Sequence, residues 1–114
     1  MSVQRRYRLR QPERFRQVRS AGKSWASPLL VLCALPNGLD HNRFGFSVSR
    51  RLGGAVRRNL VRRRLREIIR LQRADIEPGW DVVMIARPLA AQADFLTLKA
   101  ACLALLKRAQ LLGS

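Results

Sequence analysis

Residues 55–73, AVRRNLVRRRLREIIRLQR, carry apolar and basic side chains on opposite sides of a helix, and this segment limits the folds open to the chain. At about 100° per residue, Leu60, Val61, Leu65, Ile68 and Leu71 fall on one side. Arg58, Arg62, Arg66, Arg70 and Arg73 gather on the other, with Asn59 inside the basic stripe and Arg63 beside it. The apolar side needs a surface to cover, and the flanking segments supply one. Residues 43–49, RFGFSVS, alternate Phe44, Phe46 and Val48 against Gly45, Ser47 and Ser49, the period of a strand, and the second face is small and polar, which suits close approach of a ligand backbone. Residues 81–86, DVVMIA, form another strand, ended by Pro88. Strand, helix, strand in that order predicts two parallel strands joined by a crossover.

The remaining segments extend this unit. Gln11-Pro12-Glu13 opens a helix, with proline in the first turn and an acid at the positive dipole end. It runs to Ala21, stops at Gly22, and places Phe15 and Val18 on one face. Residues 29–35, LLVLCAL, form a buried strand, and Pro36-Asn37-Gly38 turns the chain. A last helix spans 94–112, with an apolar stripe of Leu98, Cys102, Leu105 and Ala109. The order is helix, two or three strands, helix, strand, helix. The expectation is an α+β fold in one domain, residues 1–114: a mixed sheet of about four strands with helices packed on it. Residues 1–10 read as an extended basic arm.

Charge decides the partner. The chain carries 23 Lys and Arg against 7 Asp and Glu, a formal net charge of +16. All its cations are arginine except Lys23, Lys99 and Lys107. A compact domain so charged repels itself, and a bound polyanion relieves that repulsion. The helix over 55–73 has one acid, Glu67, where an ordinary solvated face mixes signs to gain i,i+4 pairs. RNA or DNA is the expected partner of its basic side. Arg57 and Arg64 break the pattern by pointing toward the apolar side; Arg64 fits if its stem packs and its head reaches out. Gly53-Gly54 lets backbone N–H groups approach a phosphate or simply forms a turn. Arg5, Arg6, Arg8, Arg10, Arg14, Arg16 and Arg19 make a second basic cluster, with Phe15 inside it either stacked on a base or packed in the core.

Cys33 and Cys102 lie far apart in apolar stretches and read as buried, unpaired residues. The longest apolar run, residues 29–35, is too short to cross a bilayer, and no secretory signal pattern is present. The localisation expected is cytoplasmic.

The segment RRLGGAVRRNLVRRRLREIIR, residues 50–70, resembles the signature of the ribonuclease P protein family: a basic pair, glycine, Ala-Val, and an Arg-Asn-Arg core on a helix followed by more basic residues. The strand RFGFSVS before it, DVVMIARP after it, and RLRQPERFRQV at the N-terminus are similar to the family's in kind and order, so the resemblance covers nearly the whole chain. It implies a two-layer alpha–beta sandwich with a left-handed β-α-β crossover. It also implies a role as the noncatalytic protein subunit of a ribonucleoprotein that removes the 5′ leader from precursor tRNA. In that family an RNA subunit performs the hydrolysis with Mg²⁺. Carried over by motif, Arg50, Arg51, Arg58, Asn59, Arg62, Arg63, Arg66 and Arg70 would meet the catalytic RNA, and Phe15, Val31 and Ser47 would line a cleft for the precursor tRNA leader. The chain departs from the family where Leu60 replaces the second arginine of the core and where Arg19 and Cys33 stand at cleft positions usually aromatic.

The residues themselves argue for binding rather than catalysis. A protein metallonuclease needs convergent carboxylates. Only Asp75, Glu77 and Asp81 are close in sequence, around Pro78-Gly79, where loop and solubility roles are expected. His41, the one histidine, lies in a polar turn without an evident partner for acid–base work. The alternatives left open are a ribosomal or ribosome-assembly protein and a stand-alone protein nuclease.

Overall fold

The computed structural model describes residues 7–112; the expectations for Arg5 and Arg6 lie outside the described residues. The elements are α1 (Pro12–Ala21), β1 (Lys23–Ala26), β2 (Leu30–Pro36), β3 (Arg43–Val48), α2 (Ala55–Gln72), β4 (Trp80–Ala86) and α3 (Phe95–Arg108). The strands form one sheet in the order β1-β2-β4-β3. β3 and β4 are parallel neighbours joined through α2, while β2 runs antiparallel to both β4 and β1. The fold is α+β, with three helices on a four-stranded mixed sheet.

Strand alternation sorts the core into two parts. Leu30, Leu32 and Ala34 of β2, Phe44 and Val48 of β3, and Val82, Met84 and Ala86 of β4 face α2 and α3, meeting Val61, Leu65, Ile68, Ile69, Leu98, Cys102, Leu105 and Leu106. The opposite sheet face carries Cys33 and Val83, covered by Val18 of α1 and by Leu9, with Phe15, Val31, Leu35 and Ile85 around them.

Two helix boundaries differ from the sequence expectation. Leu71 is exposed at 47%, and Ile69 is buried in its place: the helix ends at Gln72 and gives way to a 3-10 turn over Arg73–Asp75, so its last turn leaves the core. α3 stops at Arg108, not 112. Asp94 caps its start, accepting from the Thr97 N–H at 2.8 Å, and Gln110 closes its end in the left-handed region at φ 60°. β1 is a four-residue edge strand with no apolar alternation of its own, and the count of strands anticipated it without a range.

The arm is docked where it is described. The Leu9 N–H donates to the Phe44 carbonyl at 2.8 Å, and Arg8 bridges the same residue in parallel, so residues 8–9 run along the free edge of β3. Tyr7 lies beneath the Arg73 guanidinium, 3.9 Å from ring centroid to Cζ, and meets the His41 ring edge-on. No described helix is long and apolar enough to cross a membrane.

Candidate nucleic-acid interface

α2 presents its basic side as a graded surface. Its apolar stripe of Val61, Leu65, Ile68 and Ile69 anchors the helix to the sheet, and this fixes the direction of the other side. Arg58, Arg62 and Arg66 follow one another at i,i+4 spacing and are half-buried, while Asn59 and Arg63 are exposed. Arg62 donates to Asn59 Oδ1 at 2.7 Å, which orients its guanidinium along the helix. The Arg58 Nε is buried with no hydrogen-bond partner. Burial, then the charges of Arg8 and Arg62, push the Arg66 guanidinium below its ordinary pKa. It stays protonated, since no protein environment deprotonates arginine near neutrality, and the crowding marks a place where an anion is favoured.

Arg70, expected in the same stripe, is engaged differently. Glu67 accepts from its Nε at 2.6 Å and its Nη2 at 2.7 Å, a bidentate pair one helical turn long. Arg50 and Arg51 sit in an exposed 3-10 turn, Arg50–Leu52, before α2. Gly53 follows it at φ 127°, a conformation side-chain-bearing residues rarely adopt, and turns the chain into the helix. Arg57 and Arg64, the two misfits, reach sideways to the carbonyls of Ala91 (3.2 Å) and Ala93 (2.8 Å), pinning the segment before α3.

The second part of the site is the sheet face that α1 leaves uncovered. Val31, Ile85 and Ser47 occupy one cross-strand row of β2, β4 and β3, and all three are half-buried. Phe15 is one row away, over Gly45. The structure therefore brings Phe15, Val31 and Ser47 onto one face, with Ile85 between the last two. Ile85 was legible only through the alternation of β4. Gly45 was expected to leave room for a ligand backbone. Instead the Phe15 ring fills that room: a Cβ on Gly45 would lie 2.5 Å from Phe15 Cε2.

The two parts meet in a groove of about 320 Å³, with Arg8, Arg10 and Phe15 on one wall and Arg62 and Arg66 on the other. Sequence spacing alone could not show that Arg8 and Arg10 join α2, because the docking of the arm along β3 is a long-range contact.

Arg14 does not join this surface. Its Nε donates to Asp81 Oδ2 at 2.6 Å and its Nη2 to the Pro36 carbonyl at 2.9 Å. Arg43 binds the same carboxylate through Nε (2.8 Å) and Nη2 (2.7 Å), and the Asn37 amide completes the set at 3.0 Å. Asp81 is wholly buried, which corrects its expected place as a solvated loop acid. Burial alone would push its carboxyl up. The hydrogen bonds from Arg43, Arg14 and Asn37 outweigh that and hold it below the usual carboxylate range. Glu67 and Asp94 are likewise held low, by Arg70 and by the Thr97 N–H respectively. His41, which the sequence placed in a polar turn without an evident partner, has one: Asp40 Oδ1 accepts from the His41 Nδ1–H at 2.8 Å. Among the described residues, no three His, Cys, Asp or Glu side chains converge as a metal site.

The chain matches the family model described as Ribonuclease P over residues 3–110. It is 49% identical to the ribonuclease P protein component of Roseiflexus castenholzii over 94% of this chain and 88% of that one. Among solved structures it is similar to the RNase P protein of Staphylococcus aureus, with a TM-score of 0.88 and 31% identity over 94% of this chain and 98% of that one. It is similar too to that of Thermotoga maritima, with a TM-score of 0.82 and 37% identity over 89% and 96%. A basic helix beside a half-open sheet face, in a chain with these relatives, belongs to the ribonuclease P protein family.

Proposed function

We propose that this chain is the protein subunit of a ribonuclease P ribonucleoprotein, binding a catalytic RNA through α2 and the 5′ leader of precursor tRNA through the sheet face beside α1. The observation that carries this reading is the groove where Arg62 and Arg66 face Arg8, Arg10 and Phe15. It joins a phosphate-binding wall to an aromatic edge, the combination that suits an RNA strand. Arg58, Asn59, Arg62, Arg63 and Arg66 dock the folded RNA, with Arg50 and Arg51 at the start of the helix. Arg70 contributes least, because Glu67 already neutralises it. Phe15, Val31 and Ser47 line the path of the leader, which leaves the groove across Ile85.

Three of the chain's seven acids are already engaged, Asp81 by two arginines, Glu67 by one, and Asp94 by a helix N-terminus. In this reading Mg²⁺ is bound by the RNA subunit, which carries out the hydrolysis. The protein lowers the electrostatic cost of bringing two polyanions together and holds the leader in register. The relatives favour this assignment over the ribosomal alternative. The test is reconstitution with a candidate catalytic RNA at low Mg²⁺. Correct 5′ cleavage that depends on the protein supports the reading. Cleavage by the protein with Mg²⁺ and no RNA subunit would overturn the division of labour.

A further inference from the structure

The end of α3 forms a groove of about 260 Å³ that reaches from β1 across β2 to the start of β4. Its walls hold Trp25 and Trp80, the chain's only two tryptophans. Register explains the placement. Trp25 pairs with Leu32 and Trp80 with Pro36, so the two indoles flank β2 on one face. Ala34 lies between them as a small floor. Both tryptophans are half-buried. Lys23 and Arg108 are exposed at the rim, and none of the lining residues is acidic. Arg108 is held by one bond, Nη1 to the Ala26 carbonyl at 2.8 Å, which leaves its remaining donors directed to solvent or ligand. Gln110, in its left-handed conformation, places a side-chain amide at the same rim. Aromatic faces, two cations and an amide are the groups that hold an unpaired nucleotide: stacking for the base, charge for the phosphate, and an amide for the base edge.

We propose that this groove is a second RNA-binding point, stacking an unpaired base on Trp25 and Trp80 while Lys23 and Arg108 hold the adjoining phosphates. It rests on the reading that the chain works on RNA, but on none of the α2 residues. Lys23 and Trp25 lie three strand spacings from β3, about 14 Å across the sheet, so the contact extends the bound RNA to the far edge.

The test uses the full chain and a ten-nucleotide oligouridylate whose binding is followed independently by the anisotropy of a 3′ label. Because both tryptophans line the groove, intrinsic fluorescence reports on it directly. Saturation is expected to quench the emission, with Trp25→Phe and Trp80→Phe each retaining part of the effect. Lys23→Ala with Arg108→Ala is expected to remove the quenching and lower the salt slope by about 0.7 per residue. Inorganic polyphosphate is expected to bind without quenching. Saturation with unchanged emission overturns the proposal. So does quenching that survives loss of Lys23 and Arg108, or equal quenching by polyphosphate. Arg62→Ala with Arg66→Ala should keep the quenching, and failed reconstitution of 5′ cleavage would leave that result standing, so the two readings fail separately.

Discussion

Arg14 of α1 binds Asp81 of β4 at 2.6 Å, across 67 positions of sequence, and fastens α1 to the sheet, while Arg43 ties β3 to the same carboxylate. Removing the carboxylate leaves two half-buried arginines and the Asn37 amide without their shared acceptor. Breaking a buried pair in this way costs about 3–5 kcal/mol. Asp81→Ala is expected to lose that much in urea unfolding. It should also weaken precursor tRNA binding, because the angle of α1 sets where Phe15 lies. A loss under about 1 kcal/mol would show that the cluster does not hold the helix.

The same carboxylate predicts an acid limb. Its folded pKa lies below the usual range, so the unfolded chain takes up the proton first as pH falls. Its contribution is complete above the unfolded value of about 3.9 and disappears as pH drops through the lower folded value. Urea midpoints measured from pH 7 down to pH 3 should fall at the acid end, and less steeply in Asp81→Asn. Glu67 and Asp94, also held low, leave a residual slope in the variant. Identical acid limbs would remove Asp81 from the linkage.

These relationships mark how far sequence reading reaches. The split of α2 into apolar and basic sides was legible because one periodicity governs both, and β3 was legible through its alternation. What escaped depends on contacts distant in sequence. Asp81 looks like a turn acid until Arg14, Arg43 and Asn37 are seen around it. Gly45 looks like room for a ligand until Phe15 fills it. The four residues of β1 carry no pattern and become a strand only by pairing with β2. Arg70 belongs to the basic stripe by angle, yet its charge is directed to Glu67, a choice of rotamer that spacing does not determine.

Phe15 and Gly45 form a matched pair, and both can be tested. Phe15→Ala is expected to reduce affinity for precursor tRNA more than for mature tRNA; equal losses would make the ring a core residue only. Gly45→Ala puts a methyl group 2.5 Å from Phe15 Cε2, too close to tolerate, so the ring must move. A stability cost of about 1–3 kcal/mol is expected, with the same selective loss for precursor tRNA. Unchanged discrimination between the two tRNAs in Gly45→Ala would separate the ring's position from leader binding.

Differences along α2 give the sharpest test of its role. Each guanidinium that meets a phosphate should contribute about one unit to the slope of log affinity against log salt. Arg62→Ala and Arg66→Ala are each expected to reduce that slope by about one for the RNA subunit. Arg70→Ala should change it less, since Glu67 already accepts from Nε and Nη2 of Arg70. Glu67→Gln should act in the opposite sense: it removes a charge repelled by RNA and releases Arg70, so affinity rises and the slope steepens. Titrations of the four variants across a salt series read all of these at once. If Glu67→Gln binds RNA more weakly than the parent chain, then the Arg70 pair is part of the docking surface, and the ranking of the arginines proposed for α2 is wrong.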